Sequence, residues 1–126
     1  MKLHAERATH LNTVTGYGPG YIEINGARHS GNLILAAQFQ QNWSVAGFEQ
    51  LCPEDFEPLL DLKPEVVLLG TGRRHRFPDP RLTAHLARAG IALEAMDTGA
   101  ACRTYNILMS DGRRVAAALL QEITER

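Results

Sequence analysis

The chain has 126 residues, 44% of them apolar, and 13 basic against 14 acidic side chains leave a formal net charge of −1. A chain of that length fits one domain that buries roughly two thirds of its unfolded surface, so neither a disulfide nor a metal is needed to hold it. The near-zero charge removes the global attraction on which non-specific nucleic-acid or anionic-membrane binding depends. Cys52 and Cys102 lie far apart, without the clustering of a secreted disulfide framework or the spacing of a zinc or redox pair. The opening MKLHAERATH has no apolar signal core, and no run approaches the ~20 apolar residues that cross a bilayer. The expectation is one cytoplasmic domain over residues 1–126, with no membrane, nucleic acid, metal or cofactor.

In chain order, TGYGPG before Tyr21 holds three glycines and a proline and reads as an ordered loop rather than a strand. Tyr21 to Ile24 alternates in polarity, and Asn25-Gly26 is the pair a two-residue type I′ turn prefers, since both central residues need positive φ. A hairpin is therefore expected from Tyr21 to about Ser30. Asn32 to Ala37 follows as a buried strand. Pro53 to Leu62 opens with proline and acidic residues, which suit the positive end of a helix dipole, and puts Phe56, Leu59 and Leu60 on one face of a short helix. Glu65 to Leu69 is β-branched without polar alternation, as in a strand covered on both faces.

Asp79-Pro80 predicts an N-cap with proline at the first helical position, and Gly90 a C-terminal stop. That helix turns Leu82, His85, Leu86 and Ala89 inward, and His85 reads as a hydrogen-bonded core histidine. Ile91 to Met96 is a strand, Asp97 or Thr98 caps the next helix, Asp111-Gly112 stops it, and Arg114 to Leu120 is the last strand.

Strands joined by a helix are usually parallel with right-handed crossovers, so Val66 to Leu69 and Leu93 to Met96 should end at one sheet edge. Open α/β sheets bind ligands at that carboxyl edge. GTGRRHRF then meets DTGAACRTYN, which defines a candidate binding cleft of Gly70, Thr71, Gly72, Arg73, Asp97, Thr98, Arg103, Thr104 and Asn106. The glycines and the helix start would offer backbone N–H groups to a small anion, with Arg73 or Arg103 supplying charge and Thr71 or Thr104 a hydroxyl.

A dinucleotide fingerprint fails, because His75 stands where its third glycine belongs and Pro78 and Pro80 precede the helix; no Gly-Lys-Ser/Thr marks a phosphate loop. A tight turn with solvated arginines is the simpler reading. Cys102, near a helix start and Arg103, could gain thiolate character, but inert packing as a small hydrophobe is favoured. His75 has no evident carboxylate partner. No His/Cys cluster suggests a metal, no Gly-x-Ser-x-Gly suggests a hydrolase, and Glu94 and Asp97 would point to opposite faces of a strand. No catalytic residue is assigned.

The succession TGYGPGYIEING, EVVLLGTG and IALEAMDTGAACRTYNILMSDGRRVAAALL resembles a small MTH-type domain family of unknown function, found in bacteria, archaea and eukaryotes. Its relatives include a mitochondrial complex I assembly factor and an adipogenesis-associated protein. The similarity covers about residues 11–120 as a core and leaves 121–126 as a polar tail. The resemblance implies a three-layer α/β fold, in which helices and an N-terminal β-hairpin region pack on a central mixed sheet. It also implies a last strand antiparallel to its neighbours, in place of the parallel direction read from the residues alone. It implies no substrate and favours protein binding over catalysis. Two readings stand: a non-enzymatic protein-interaction or assembly factor, with Phe39, Trp43 and Phe48 as candidate anchors, and a small-molecule or anion-binding protein, enzyme included, that uses the cleft.

Overall fold

Asn25 and Gly26 have φ of 51° and 86°, the two left-handed positions that a type I′ turn demands, and the expected hairpin forms around them. It appears in a computed structural model that describes residues 11–121. Strands β1 (Val14–Gly18), β2 (Tyr21–Ile24) and β3 (Ala27–His29) make an antiparallel three-stranded sheet. The larger sheet contains β4 (Leu33–Ala36), β5 (Phe39–Asn42), β6 (Val66–Gly70), β7 (Ala92–Met96) and β8 (Val115–Leu119), in the order β5-β4-β8-β6-β7. Helices α1 (Glu57–Leu62), α2 (Ala84–Arg88) and α3 (Thr98–Ser110) complete a mixed α/β architecture.

Alternation along the central strands divides the core in two. Leu33, Leu35, Val66, Leu68, Ala117 and Leu119 face α3 and the small sheet, where they meet Ile22, Ala101, Cys102 and Tyr105. Ile34, Val67, Leu69, Ala116, Ala118 and Leu120 face the other way, against Trp43, Phe56, Leu59 and Leu86. The result is the expected three layers. β6 and β8 are buried along their whole length, as unalternating apolar runs require.

Several expectations are corrected. TGYGPG is largely strand: β1 includes Gly16 and Gly18, with a register shift between Val14 and Gly16. The glycines are tolerated because one of them leaves room for a ring: a Cβ on Gly18 would lie 2.7 Å from the Tyr21 ring. Only Pro19 and Gly20 (φ 79°) form the turn, in the arrangement that a type II turn favours. Strand β5 was not anticipated, because its polar FQQN run is mostly exposed at the sheet edge and shows no alternation.

Helices α1 and α2 begin as 3-10 turns, Pro53–Phe56 and Pro80–Thr83, so their α segments are shorter than expected and Ala89 is exposed. Asp79 accepts from the Arg81 N–H as its cap, and the adjoining Arg81 guanidinium holds its carboxyl down at about 2. His85 does not make the expected hydrogen bond, since its Nε2 is buried without a partner among the described residues.

The last strand is also corrected. β8 is parallel to β6 and antiparallel only to β4. The chain leaves β7 through α3 and returns beside β6, which sets that pair parallel, while β4 enters from the hairpin layer in the opposite sense. Trp43, expected as a candidate partner anchor, is core: it is buried, stands edge-on to Phe56 at 5.7 Å, and donates its indole N–H to the Asp55 carbonyl at 2.9 Å. Phe39 and Phe48 pack partly buried against the same cluster. From residue 122 on, the tail lies outside the described residues.

Candidate functional site

β6, β7 and β8 end together, with Gly70 in register with Met96 on one side and Leu119 on the other. Gly70 is there because nothing larger fits: a Cβ would lie 2.9 Å from Thr98 Oγ1, 3.0 Å from Thr98 Cα and 3.1 Å from Leu119 Cδ2. Gly72, at φ 101°, donates its N–H to Thr98 Oγ1 at 2.8 Å, and its carbonyl accepts from the Thr98 N–H at 2.9 Å. Thr98 Oγ1 in turn donates to the Leu120 carbonyl at 2.7 Å. One hydroxyl thus joins the ends of β6 and β8 to the start of α3.

Thr71 secures the next turn. It is buried, its N–H donates to the Met96 carbonyl at 2.8 Å, and its hydroxyl donates to the Arg74 carbonyl at 2.7 Å while accepting the Arg76 N–H at 3.1 Å. Arg76 continues the brace, with its guanidinium 5.2 Å from the Phe48 ring centre and 3.5 Å from Glu49. Beyond it Phe77 is 81% exposed and lies against His75 with the ring centres 4.4 Å apart and the planes tilted by 46°.

The two predicted segments therefore meet at one sheet edge, but three of the backbone donors expected to face an anion are committed. Gly72 and Thr98 bond each other, and the Ala100 N–H bonds the Asp97 carboxylate at 2.8 Å. Asp97 sits at the positive end of α3, where a bound anion would otherwise gain most.

A cleft of about 310 Å³ lies over this junction, and its second wall is residues 17–22, the latter part of the stretch read as a loop and the first two residues of β2. Each tyrosine of that wall is pinned by a glycine and an arginine. The Tyr17 ring rests on Gly99, where a Cβ would come within 2.9 Å, and the Tyr17 hydroxyl accepts from Arg103. The Tyr21 ring covers Gly18, with the Arg28 guanidinium 3.9 Å from its centre. Ile22 and Leu120 add apolar lining, and Arg73, Asp97 and Gln121 add polar groups.

Of the nine residues predicted for a cleft, Gly72, Arg73, Asp97 and Thr98 line it. Gly70 and Thr71 form the framework beneath, and Arg103 reaches it through Tyr17. Thr104 and Asn106 do not line it. Asn106 instead clamps β1, accepting the Val14 N–H at 2.9 Å and donating to the Val14 carbonyl at 2.8 Å. Tyr17 and Tyr21 were missed, although a Tyr-Gly-Pro-Gly-Tyr run, with glycine beside each ring, was the available signal.

Cys102 is packed in the core. Burial pushes its thiol up to about 12 and outweighs the opposing Arg103 charge. Cys52 is exposed and also free, its thiol raised by hydrogen bonding to the Asp55 carboxylate. Among the described residues no group of His, Cys, Asp or Glu side chains is placed to hold a metal, and no helix is long and apolar enough to cross a membrane.

The sequence pattern of a family described as proteins of unknown function, DUF498/DUF598, matches residues 14–120. The chain belongs to this family. Other members set its range. An uncharacterised protein of Rhodobacter capsulatus is 39% identical over 109 residues, 85% of this chain and 82% of that one. The bovine NADH dehydrogenase [ubiquinone] 1 alpha subcomplex assembly factor 3 is 33% identical over 109 residues. That match takes in 85% of this chain but only 59% of the assembly factor, so the chain spans about three fifths of that relative's length. A Bordetella pertussis protein solved as an Mth938-like domain superposes with a TM-score of 0.81 at 38% identity, over 90% of this chain and 88% of that one. The MTH-type resemblance and the fold are thereby established.

Proposed function

We propose that the chain is a non-enzymatic, cytoplasmic protein-interaction domain that acts as an assembly factor for another protein. The observation that carries this reading is the likeness, over 85% of the chain, to a protein named as a complex assembly factor. The cleft supports it: apart from the tyrosine phenols, its ionisable lining groups are Arg73 and Asp97, and Asp97 is committed to the Ala100 N–H. Proton transfer needs a group positioned and free to exchange, and this lining offers no such pair. Isolation of the tagged full chain from its native cell extract should retain a stoichiometric protein partner through a salt wash. Recovery of nothing above the untagged control overturns the reading.

A second reading, a small apolar ligand, is supported by the cleft volume of about 310 Å³, which reaches the low end of the ~300–1,000 Å³ typical of ligand clefts. Inorganic phosphate is the less favoured occupant, because three of the donors it would need are engaged. Amide shifts during a phosphate titration should scatter over exposed arginines. A saturable response confined to residues 70–74 and 98–104 would restore the anion reading.

A further inference from the structure

We propose that the cleft between β2 and the start of α3 receives one apolar side chain of a protein partner, flanked in that partner by carboxylates that meet Arg73 and Arg103. This rests on the protein-interaction reading above and names the chemistry of the partner segment.

The walls are formed before any partner arrives. Tyr17 is held between Gly99 and Arg103, and Tyr21 between Gly18 and Arg28. Two rings already fixed in place lose little freedom on binding, which is what makes rigid aromatic surfaces effective partner sites.

The charge around the cleft supplies the flanks. Arg73 and Arg103 are both exposed, and among the described residues neither has an ion-pair partner; Arg103 bonds only a neutral phenol. Arg74 is exposed on the same loop as Arg73. The neighbouring acids are already engaged, Asp97 by the Ala100 N–H and Glu23 by Arg28 at 3.9 Å and the Thr15 hydroxyl at 2.8 Å. With Glu23 paired to Arg28, the exposed Arg73, Arg74 and Arg103 outnumber the one remaining carboxylate, Asp97, so the balance at this edge is positive in a chain whose formal net charge is −1. A free anion gains little, because the Thr98 and Ala100 N–H groups at the helix start are engaged and the Asp97 carboxylate sits beside them. An apolar side chain between carboxylates uses both the ring wall and the guanidinium groups that have no ion-pair partner among the described residues.

A library of random dodecapeptides displayed on phage, selected on the immobilised full chain, tests the assignment. The recovered consensus should hold an aromatic or large aliphatic residue with carboxylates on both sides. A synthetic peptide of that consensus should bind the Arg73→Glu/Arg103→Glu chain at least about tenfold more weakly than wild type, and replacing its carboxylates with lysines should restore binding to that variant. Both positions are exposed, and a urea midpoint matching wild type shows that the variant is folded. Absence of enrichment, a consensus without acidic bias, or equal binding of the peptide by both chains overturns the proposal. The native-extract isolation separates the two failures. A partner retained equally by wild type and the charge-reversed chain leaves the interaction reading standing and removes this site from it, whereas no partner with either chain removes the reading itself.

Discussion

Thr98 does more for this fold than its size suggests, because a single hydroxyl both accepts the Gly72 N–H and donates to the Leu120 carbonyl. Thr98→Val keeps the shape and removes both bonds at a buried position, leaving two backbone groups unsatisfied. The expected loss is about 2–3 kcal/mol, read from urea denaturation, with Thr98→Ser losing much less. Gly70→Ala should cost about 1–3 kcal/mol by overpacking, since the new methyl meets backbone as well as side chain. Cys102 gives a pH signature. Its thiol is pushed from the ordinary 9.0 up to about 12 in the fold, so stability is unaffected below about pH 9 and declines as pH rises toward 12, where the unfolded chain alone releases the proton. Tyr105, also raised by burial, adds to the same alkaline loss. A thiol reagent at pH 8 should titrate Cys52 alone in the native chain and both cysteines in urea. Legibility at this scale followed locality. The Asn25-Gly26 turn and the Asp97 cap are short-range devices and could be read from the residues. Gly99 could not, because the ring that needs its missing Cβ comes from β1, far away in sequence.

At the scale of elements, α3 is the joint of the molecule. Its inner face packs Ala101, Cys102 and Tyr105 on the large sheet, while Asn106 grips the β1 backbone at both polar groups of Val14. Tyr105 extends that link by donating its hydroxyl to the Asn12 carbonyl at 2.8 Å. Asn106→Ala should therefore destabilise the chain by about 1–3 kcal/mol and raise hydrogen exchange at Val14 before it affects β6 or β8. Unchanged exchange at Val14 would show that the clamp is incidental. The sequence made Asn106 look like a cleft residue, since it follows the helix start closely; helical rotation instead turns it toward β1. β6 and β7 were legible as parallel neighbours because buried apolar runs and a crossover connection constrain them. The direction of β8 against β4 depends on where the N-terminal half of the chain enters the sheet, which no local pattern encodes. β1 was lost to its glycines, whose usual meaning in a strand is interruption rather than a seat for a tyrosine.

Across the whole molecule, the ends of three parallel strands, the start of α3 and the turn after β1 converge on one edge, and the exposed Arg73 and Arg103 stand there. The near-neutral chain total conceals this local excess, which arises because folding gathers Arg73, Arg74 and Arg103 around a single carboxylate, Asp97, while Glu23 pairs with Arg28. The proposal places the protein partner at this edge. Hydrogen–deuterium exchange, compared between the free chain and the complex isolated from native extract, tests that claim most directly. Exchange should slow at residues 17–22 and 72–74 in the complex, with little change along β5 on the far edge of the sheet. Protection confined to β5 or to the exposed Ile107 side of α3, with residues 17–22 exchanging as in the free chain, would contradict it.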